Sequence, residues 1–480
     1  MHSYKQQQSS FLYYIALFIF SNLVLLFYFV GISTRIILIF GGISIVLINY
    51  NFFFYVLKKS KDLFSKNKLL KFAWAILFIS VFLWRLRTSK DLMANPVDTT
   101  AFLRMVEVAV AGLIAVFMLM TKPNISALMG PVGLMLMYSL SGIISGVYSS
   151  YPLYAAYKAL ETTAGVVLIT AILGRCEDFD SIKEFVQLNI ALFGLLIVLV
   201  WVGALLWPAL AFSGSKGILS VKLFGVMPVI NPNAVGFIGA LLALVAFCQM
   251  NKKLATKEKI FWRNLLIVSL ITLVIAQSRT SLIGFVVAIG VWLLLNRKMK
   301  ILFFISLLAL IILFNIAASE ILVDYFKRGS SDEMLYTLTG RTTAWGHAWR
   351  MFKQSPLLGY GFASGARFDV LQGQGMVGMH GSIFDVIVNV GLLGLIPWLM
   401  ALIIGWIQLV GTFLRFSHIM NPTVKMFHSL MISIMLLISF RAMTGTTIVM
   451  HDKEFLLLLV VLAYAQLGAK LKGFSTQSEN

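Results

Sequence analysis

GRTTAWGHAWRMFKQSPLLGYGFASGARFDVLQGQGMVGMHGSIFDVIVNVGLLG, residues 340–394, is the one long segment of the chain in which Arg, His, Gly, Trp and Asp crowd together. The sequence on either side is oily. Of 480 residues, 59% are hydrophobic and 12% charged, and the mean hydropathy is +0.90, outside the range of soluble domains. Apolar runs recur from Phe11 to Ala469. At roughly 17 to 25 residues each, they can cross a hydrocarbon core about 30 Å thick as helices. The chain therefore reads as an all-α polytopic membrane protein. Its polar stretch is a loop held over the bilayer surface, followed by the helix that re-enters the membrane.

The runs lie near 11–30, 36–57, 69–84, 104–121, 125–148, 155–174, 185–208, 234–250, 264–278, 280–295, 301–318, 383–412, 426–448 and 455–469. The short pair flanking Gln277-Ser278-Arg279 and the third and fourth runs carry the weakest signal. The expectation is thus about 12 to 14 transmembrane helices in a single membrane domain, 1–480. The run 11–30 is too long for a signal-peptide core and lacks a small-residue cleavage site after it, so it reads as a retained helix.

The formal net charge is +20. Lys and Arg sit in short turns between apolar runs, which makes them topology signals and attractors of anionic lipid rather than a nucleic-acid surface. The richest turns, 58–71, 251–263 and 296–300, fall on one side in the helix count. That side is expected to be cytoplasmic, with both termini, and the same parity puts the loops 209–233 and 319–382 and the turn at Arg279 outside. One loop disagrees. Arg85, Arg87, Lys90 and Arg104 cluster on the external side, which means either a local error in the helix count or a set of cations for an anionic ligand.

Three features converge on the external face. Ala276-Gln277-Ser278-Arg279-Thr280-Ser281 breaks two apolar helices with a lone Arg, which either snorkels or serves as a fixed cation for a phosphate, a task the guanidinium fork suits. Arg341 opens a segment with Trp345, His347, Trp349 and Arg350 whose period fits a helix in the interface, and a helix N-terminus already favours anions. His380 stands at a loop-to-helix junction, where an imidazole can act as general base; Asp385, one turn on, could orient it. Arg441, about two turns from the external end of its helix, can join the same cationic site. Glu107, Lys158, Glu161 and Arg441 lie within apolar runs and should form helix-to-helix ion pairs.

Several signals carry nothing. Gly373-Gln374-Gly375-Met376-Val377-Gly378 fits GxGxxG without a preceding strand or a βαβ unit. Cys176 and Cys248 have no metal or disulfide spacing. The acidic residues Glu320, Asp324, Asp332, Glu333 and Asp369 show no ligand spacing, so metal-independent chemistry with no cofactor is favoured.

Ser278-Arg279 in a broken membrane helix, Gly340-Arg341 followed by Trp345, Pro356-Leu357-Leu358-Gly359-Tyr360-Gly361, His380 before a helix with Gly391 and Gly394, and Asn231-Pro232-Asn233 before an earlier helix occur in this order. Together they resemble the O-antigen ligase and polymerase superfamily, over roughly residues 185–410. One departure is Gly381, where that family commonly has Asn. The resemblance implies a membrane glycosyltransferase of the bacterial cytoplasmic membrane. Its donor would be a glycan on undecaprenyl pyrophosphate, and its acceptor a hydroxyl of a glycan, lipid or protein. It implies His380, Arg341 and Arg279 as catalytic residues and Arg441, Asp385 and Trp345 in substrate binding, with inversion at the anomeric carbon. Other polysaccharide-assembly proteins are possible partners. With no appended acceptor domain visible, a polymerase is favoured over a ligase. A lipid-linked glycan transporter or a non-catalytic scaffold shares the topology but has no need of two arginines and a histidine on one face.

Overall fold

The computed structural model describes residues 67–82, 98–123, 125–214, 221–252, 254–314, 323, 325, 341–370 and 378–471. The expected helices at 11–30 and 36–57, the Arg85-Arg87-Lys90 cluster, Gly340 and most of the Gly373–Gly378 motif lie outside the described residues. The chain is helical almost throughout: α1 Lys68–Ile79, α2 Thr99–Thr121, α3 Pro131–Ser145, α4 Pro152–Leu173, α5 Phe179–Leu206, α6 Pro232–Met250, α7 Thr256–Ile275, α8 Arg279–Leu295, α9 Met299–Phe314, α10 Arg341–Gln354, α11 Ser382–Phe416, α12 Pro422–Thr444 and α13 Lys453–Lys470. Among the described residues six of these, α2, α4, α5, α6, α11 and α12, are long and apolar enough to cross a membrane, and α3 and α8 are shorter apolar helices.

Local chemistry sets the helix starts. Asp98, Asp178, Asn231 and Asn421 accept hydrogen bonds from the backbone N–H of Ala101, Ser181, Ala234 and Thr423, and Pro131, Pro152, Pro232 and Pro422 occupy first-turn positions, where a missing N–H costs nothing. Four expected boundaries shift. The run 125–148 is a 3₁₀ turn, Ile125–Leu128, followed after Gly130 by α3. α7 starts at Thr256, so Lys257, Lys259 and Arg263 lie on its first turns rather than in a loop. α11 is two helices joined at Gly391, which has φ 55° and ψ −154°. The expected loop 209–233 contains two short antiparallel strand pairs, β1 Phe212–Gly214 with β2 Val221–Leu223 and β3 Gly225–Val226 with β4 Val229–Ile230.

α13 is apolar all round and buried along nearly its whole length, as a central helix must be. It packs against α3, α4, α5, α11 and α12. α2 buries only Val108, Ala111 and Ala115 and exposes Phe102, Leu113 and Met120, the pattern of a helix facing lipid.

Contacts between connections divide the bundle into two ends. At one end Ser80 Oγ meets His451 Nε2 at 2.9 Å, Ser149 Oγ meets Ser364 Oγ at 2.8 Å, and Gln277 Nε2 donates to the Val221 carbonyl at 2.9 Å. At the other Lys71 pairs with Glu184, Lys122 with Glu177, and Arg175 donates to Thr121. The described parts of the connections 209–233 and 319–382 and the turn at Arg279 fall at the first end.

Candidate active site

Arg279, Arg341, Arg441 and His380 come together at that first end, from four separate parts of the chain. Helix packing brings them there. Gly236 of α6 lies so close to the turn before α8 that a Cβ on it would sit 2.4 Å from Ser278 Cβ, and Gln277, at φ 52°, reverses the chain between α7 and α8. Arg279 is therefore the first residue of α8, fixed at the bundle end. α8 runs against α12, where a Cβ on Gly284 would meet Leu437 at 3.0 Å and Phe440 at 3.2 Å. That packing carries Arg279 towards Arg441. Arg341 begins α10, which buries Ala344 and Ala348 against α11.

The charges feel one another. The Arg341 guanidinium is held below its ordinary pKa by burial and by the positive charges of Arg441 and Arg279. His380 is pushed below the usual histidine value by burial and then by Arg341 and Arg441. Its imidazole is thus neutral at pH 7, the form that can accept a proton. Among the described residues Arg341 has no carboxylate in ion-pair reach. Arg441 has one, with Nε 3.6 Å from Glu454 Oε2 and both side chains buried. Arg441 is thus partly committed to the protein itself.

His380 sits at φ 53°, a left-handed conformation uncommon outside glycine and costing on the order of 1–3 kcal/mol. Its neighbours hold it there. The Met379 N–H donates to Asp385 Oδ1 at 3.0 Å, Thr446 Oγ1 donates to Asp385 Oδ2 at 2.6 Å, and Trp345 Nε1 donates to the Met379 carbonyl at 3.0 Å. Trp345 also stacks on Phe384, with centroids 5.1 Å apart and planes 12° from parallel. Ser382 Oγ donates to the Gly445 carbonyl at 2.8 Å, tying the start of α11 to the loop after α12.

Asp385 and Trp345 both face the segment before His380: the two Asp385 oxygens accept from Met379 and Thr446, so the carboxylate is fixed to the backbone next to His380. Trp345 uses its N–H and one face inside the protein, bracing the same segment. Gly381 also becomes intelligible. A Cβ there would lie 3.1 Å from both Phe384 Cδ2 and Trp345 Nε1, so the close Trp345-Phe384 stack leaves little room for the Asn common in the resembling family.

The Pro356–Gly361 motif has a structural reason that sequence reading missed. Where α11 breaks at Gly391, this segment supplies the missing hydrogen bonds: Tyr360 N–H to Val388 O at 2.9 Å, Gly361 N–H to Asn389 O at 2.9 Å, Leu392 N–H to Pro356 O at 2.8 Å and Leu393 N–H to Leu357 O at 3.0 Å. A polar backbone break inside an apolar bundle is tolerated only when its groups are satisfied in this way.

Of the other described histidines, His451 lies at the same end but is buried against Ser80, and three fall elsewhere. His347 is bonded to Arg350 on α10, His428 is buried against the Leu409 carbonyl and Tyr464, and His418 is exposed near the opposite end. An expected helix-to-helix ion pair forms at Glu161 with Arg104 Nε at 2.6 Å, whereas Lys158 Nζ pairs with Glu161 at 2.8 Å within α4 itself. Arg104, one member of the cluster that disagreed with the charge parity, is thus explained; Glu107 forms no ion pair with a described residue.

Residues 265–399 match the model of the family described as O-antigen ligase. Over those residues the chain carries a match to the O-antigen ligase domain, in agreement with the resemblance to the O-antigen ligase and polymerase superfamily. The matched span contains Arg279, Arg341, Trp345, His380, Asp385, Gly391 and Gly394 but not Arg441. Glycosyl transfer of ligase or polymerase type, on a lipid-linked glycan in a membrane, is the activity associated with that domain. No curated protein matches the chain.

Proposed function

We propose that this protein transfers a glycan from undecaprenyl pyrophosphate to an acceptor hydroxyl at the outer face of the bacterial cytoplasmic membrane, joining repeat units of a surface polysaccharide. The observation that carries the reading is that Arg341 and Arg441 both act on a neutral, half-buried histidine, with Arg279 in turn acting on Arg341. In this reaction the acceptor oxygen attacks the anomeric carbon from the face opposite the pyrophosphate, and the hydroxyl proton passes to His380. The bond to the pyrophosphate oxygen breaks with its electron pair, and undecaprenyl pyrophosphate leaves. Arg341 and Arg279 stabilise the charge that develops there, with Arg441 behind them. A single displacement inverts the anomeric centre. No step requires a metal, because the leaving group is already a good one when its charge is met.

In this reading 12 to 14 helices span the membrane, both termini are cytoplasmic, and the region 185–410 with loop 319–382 forms the catalytic part. A cysteine at Ser330 should react with an impermeant thiol reagent in intact cells. Labelling only after lysis would reverse the topology. Deletion of the gene followed by electrophoresis of the surface glycan tests the function: single repeat units mark a polymerase, whereas long chains lacking their anchor mark a ligase.

A further inference from the structure

A second cluster of charge lies at the same end of the bundle, where the start of α4 meets the turn Gly365–Val370. Arg104, Lys158 and Arg367 approach one another here, and Glu161 is the carboxylate between the first two. Asp452 and Lys453 pair with each other at 2.9 Å alongside. Positive charge is left in excess. Tyrosines surround it. Tyr157 Oη donates to Glu161, and Lys158 Nζ lies 4.6 Å from the Tyr157 ring centroid and 5.9 Å from that of Tyr154. Tyr151 and Tyr154 flank Phe368 at 4.6 and 5.1 Å. All three tyrosines, Lys158 and Arg367 are half-buried, neither sealed in the core nor free in solvent.

Arg367 is the informative residue. Its Nη1 donates to Tyr154 Oη at 3.1 Å, and its buried Nε has no hydrogen-bond partner among the described residues. A buried guanidinium nitrogen without an acceptor is costly. The edge formed by Nε and Nη2 has the fork geometry that takes a carboxylate through two parallel hydrogen bonds. Partly exposed tyrosine rings present what the C–H faces of a pyranose stack upon. The turn itself is joined to the catalytic helix, since the Ala366 N–H donates to Asn389 Oδ1 on α11 at 2.9 Å.

We propose that Arg367, Lys158, Tyr151 and Tyr154 form a subsite for an acidic saccharide, which holds the carboxylate of a uronic acid residue in the glycan being extended. This deepens the glycosyltransferase reading, on which the identity of the saccharide as acceptor rests. Binding without donor tests the subsite separately from the chemistry. The purified full chain in phosphatidylcholine nanodiscs would be titrated with a tetrasaccharide of alternating glucuronate and N-acetylglucosamine, and with its neutral carboxyl-reduced form.

The acidic tetrasaccharide should bind at least about tenfold more tightly, the worth of one charge-assisted pair. Arg367→Gln should remove the difference, with Arg367→Lys intermediate because charge survives while the fork is lost. Tyr154→Phe, a milder change that leaves the core intact, should weaken the acidic ligand several-fold and the neutral one much less. Equal binding of the two saccharides, or full discrimination by folded Arg367→Gln, overturns the proposal. So does loss of discrimination when phosphatidylglycerol replaces phosphatidylcholine, which would make lipid headgroup the occupant. If discrimination persists while the His380→Ala variant turns over normally, the subsite stands and the assignment of the base falls.

Discussion

Gly391→Ala is the substitution with the most calculable consequence. The residue has φ 55° and ψ −154°, a region almost closed to side chains, so any other residue carries strain of about 1–3 kcal/mol. A Cβ there would lie 2.5 Å from the carbonyl carbon and oxygen of Leu357 and 2.7 Å from the Leu358 nitrogen. These are backbone atoms that cannot rotate away. Relief requires the segment 356–358 to retreat, which stretches the hydrogen bonds from Leu392 to Pro356 and from Leu393 to Leu357. Each contributes about 0.5–1.5 kcal/mol, and more if its groups are left unsatisfied in an apolar interior.

Strain and lost bonds together amount to about 4 kcal/mol. Thermal unfolding of the purified protein in detergent should therefore shift down by several degrees. Turnover with lipid-linked donor should fall by at least about tenfold, because displacement of this segment moves the loop carrying α10 against His380. Gly290→Ala is the control. Its Cβ would meet nothing within 4 Å in the middle of α8, and alanine favours a helix over glycine by roughly 1 kcal/mol. That variant should melt at or above the parent temperature. A Gly391→Ala protein with parental melting and turnover would refute the view that the break and the Pro356–Gly361 segment form one hydrogen-bonded unit.

Four further outcomes are expected. His380→Ala should lower turnover by about 10² to 10⁴ with donor affinity and melting temperature little changed; loss of donor binding alone would remove it as the base. Because burial, Arg341 and Arg441 hold His380 below the ordinary value near 6.5, the acid limb of the pH–rate profile should lie below pH 6.5. Arg341→Gln removes one repelling charge, so the limb should move to higher pH; a limb that stays in place would separate the two residues. Arg341→Gln and Arg279→Gln should each lose more activity than the Lys exchanges, and full activity of Arg279→Gln would leave that residue a snorkelling role. Thr446→Val removes the donor to Asp385 and should reduce kcat more than it alters donor affinity, whereas a pure stability loss with unchanged kcat would make the Asp385 clamp structural only.

Hydropathy alone determined that this is a helical membrane protein. Apolar runs of spanning length admit no other solution when backbone groups must be satisfied within lipid. Capping residues and prolines fix the starts of six of the thirteen helices α1 to α13 by local chemistry, and the lone Arg279, Arg341 and His380 were visible because charge and imidazole are scarce in an oily chain. What the sequence could not hold is any property that depends on two distant segments. Gly359, Gly361 and Gly391 read as loop and helix glycines. Only packing revealed that the first two lie in the turn segment that mends the helix broken at the third. Asp385 and Trp345 read as candidates for orienting His380 or for substrate binding, and only the tertiary structure shows that both are bonded to the Met379 backbone beside it. The Arg367 cluster was legible only in part. Arg104, Lys158 and Glu161 stood out as charges in apolar runs, whereas Arg367 stands more than two hundred positions from Tyr154, and that contact exists only once helix packing has chosen which faces meet.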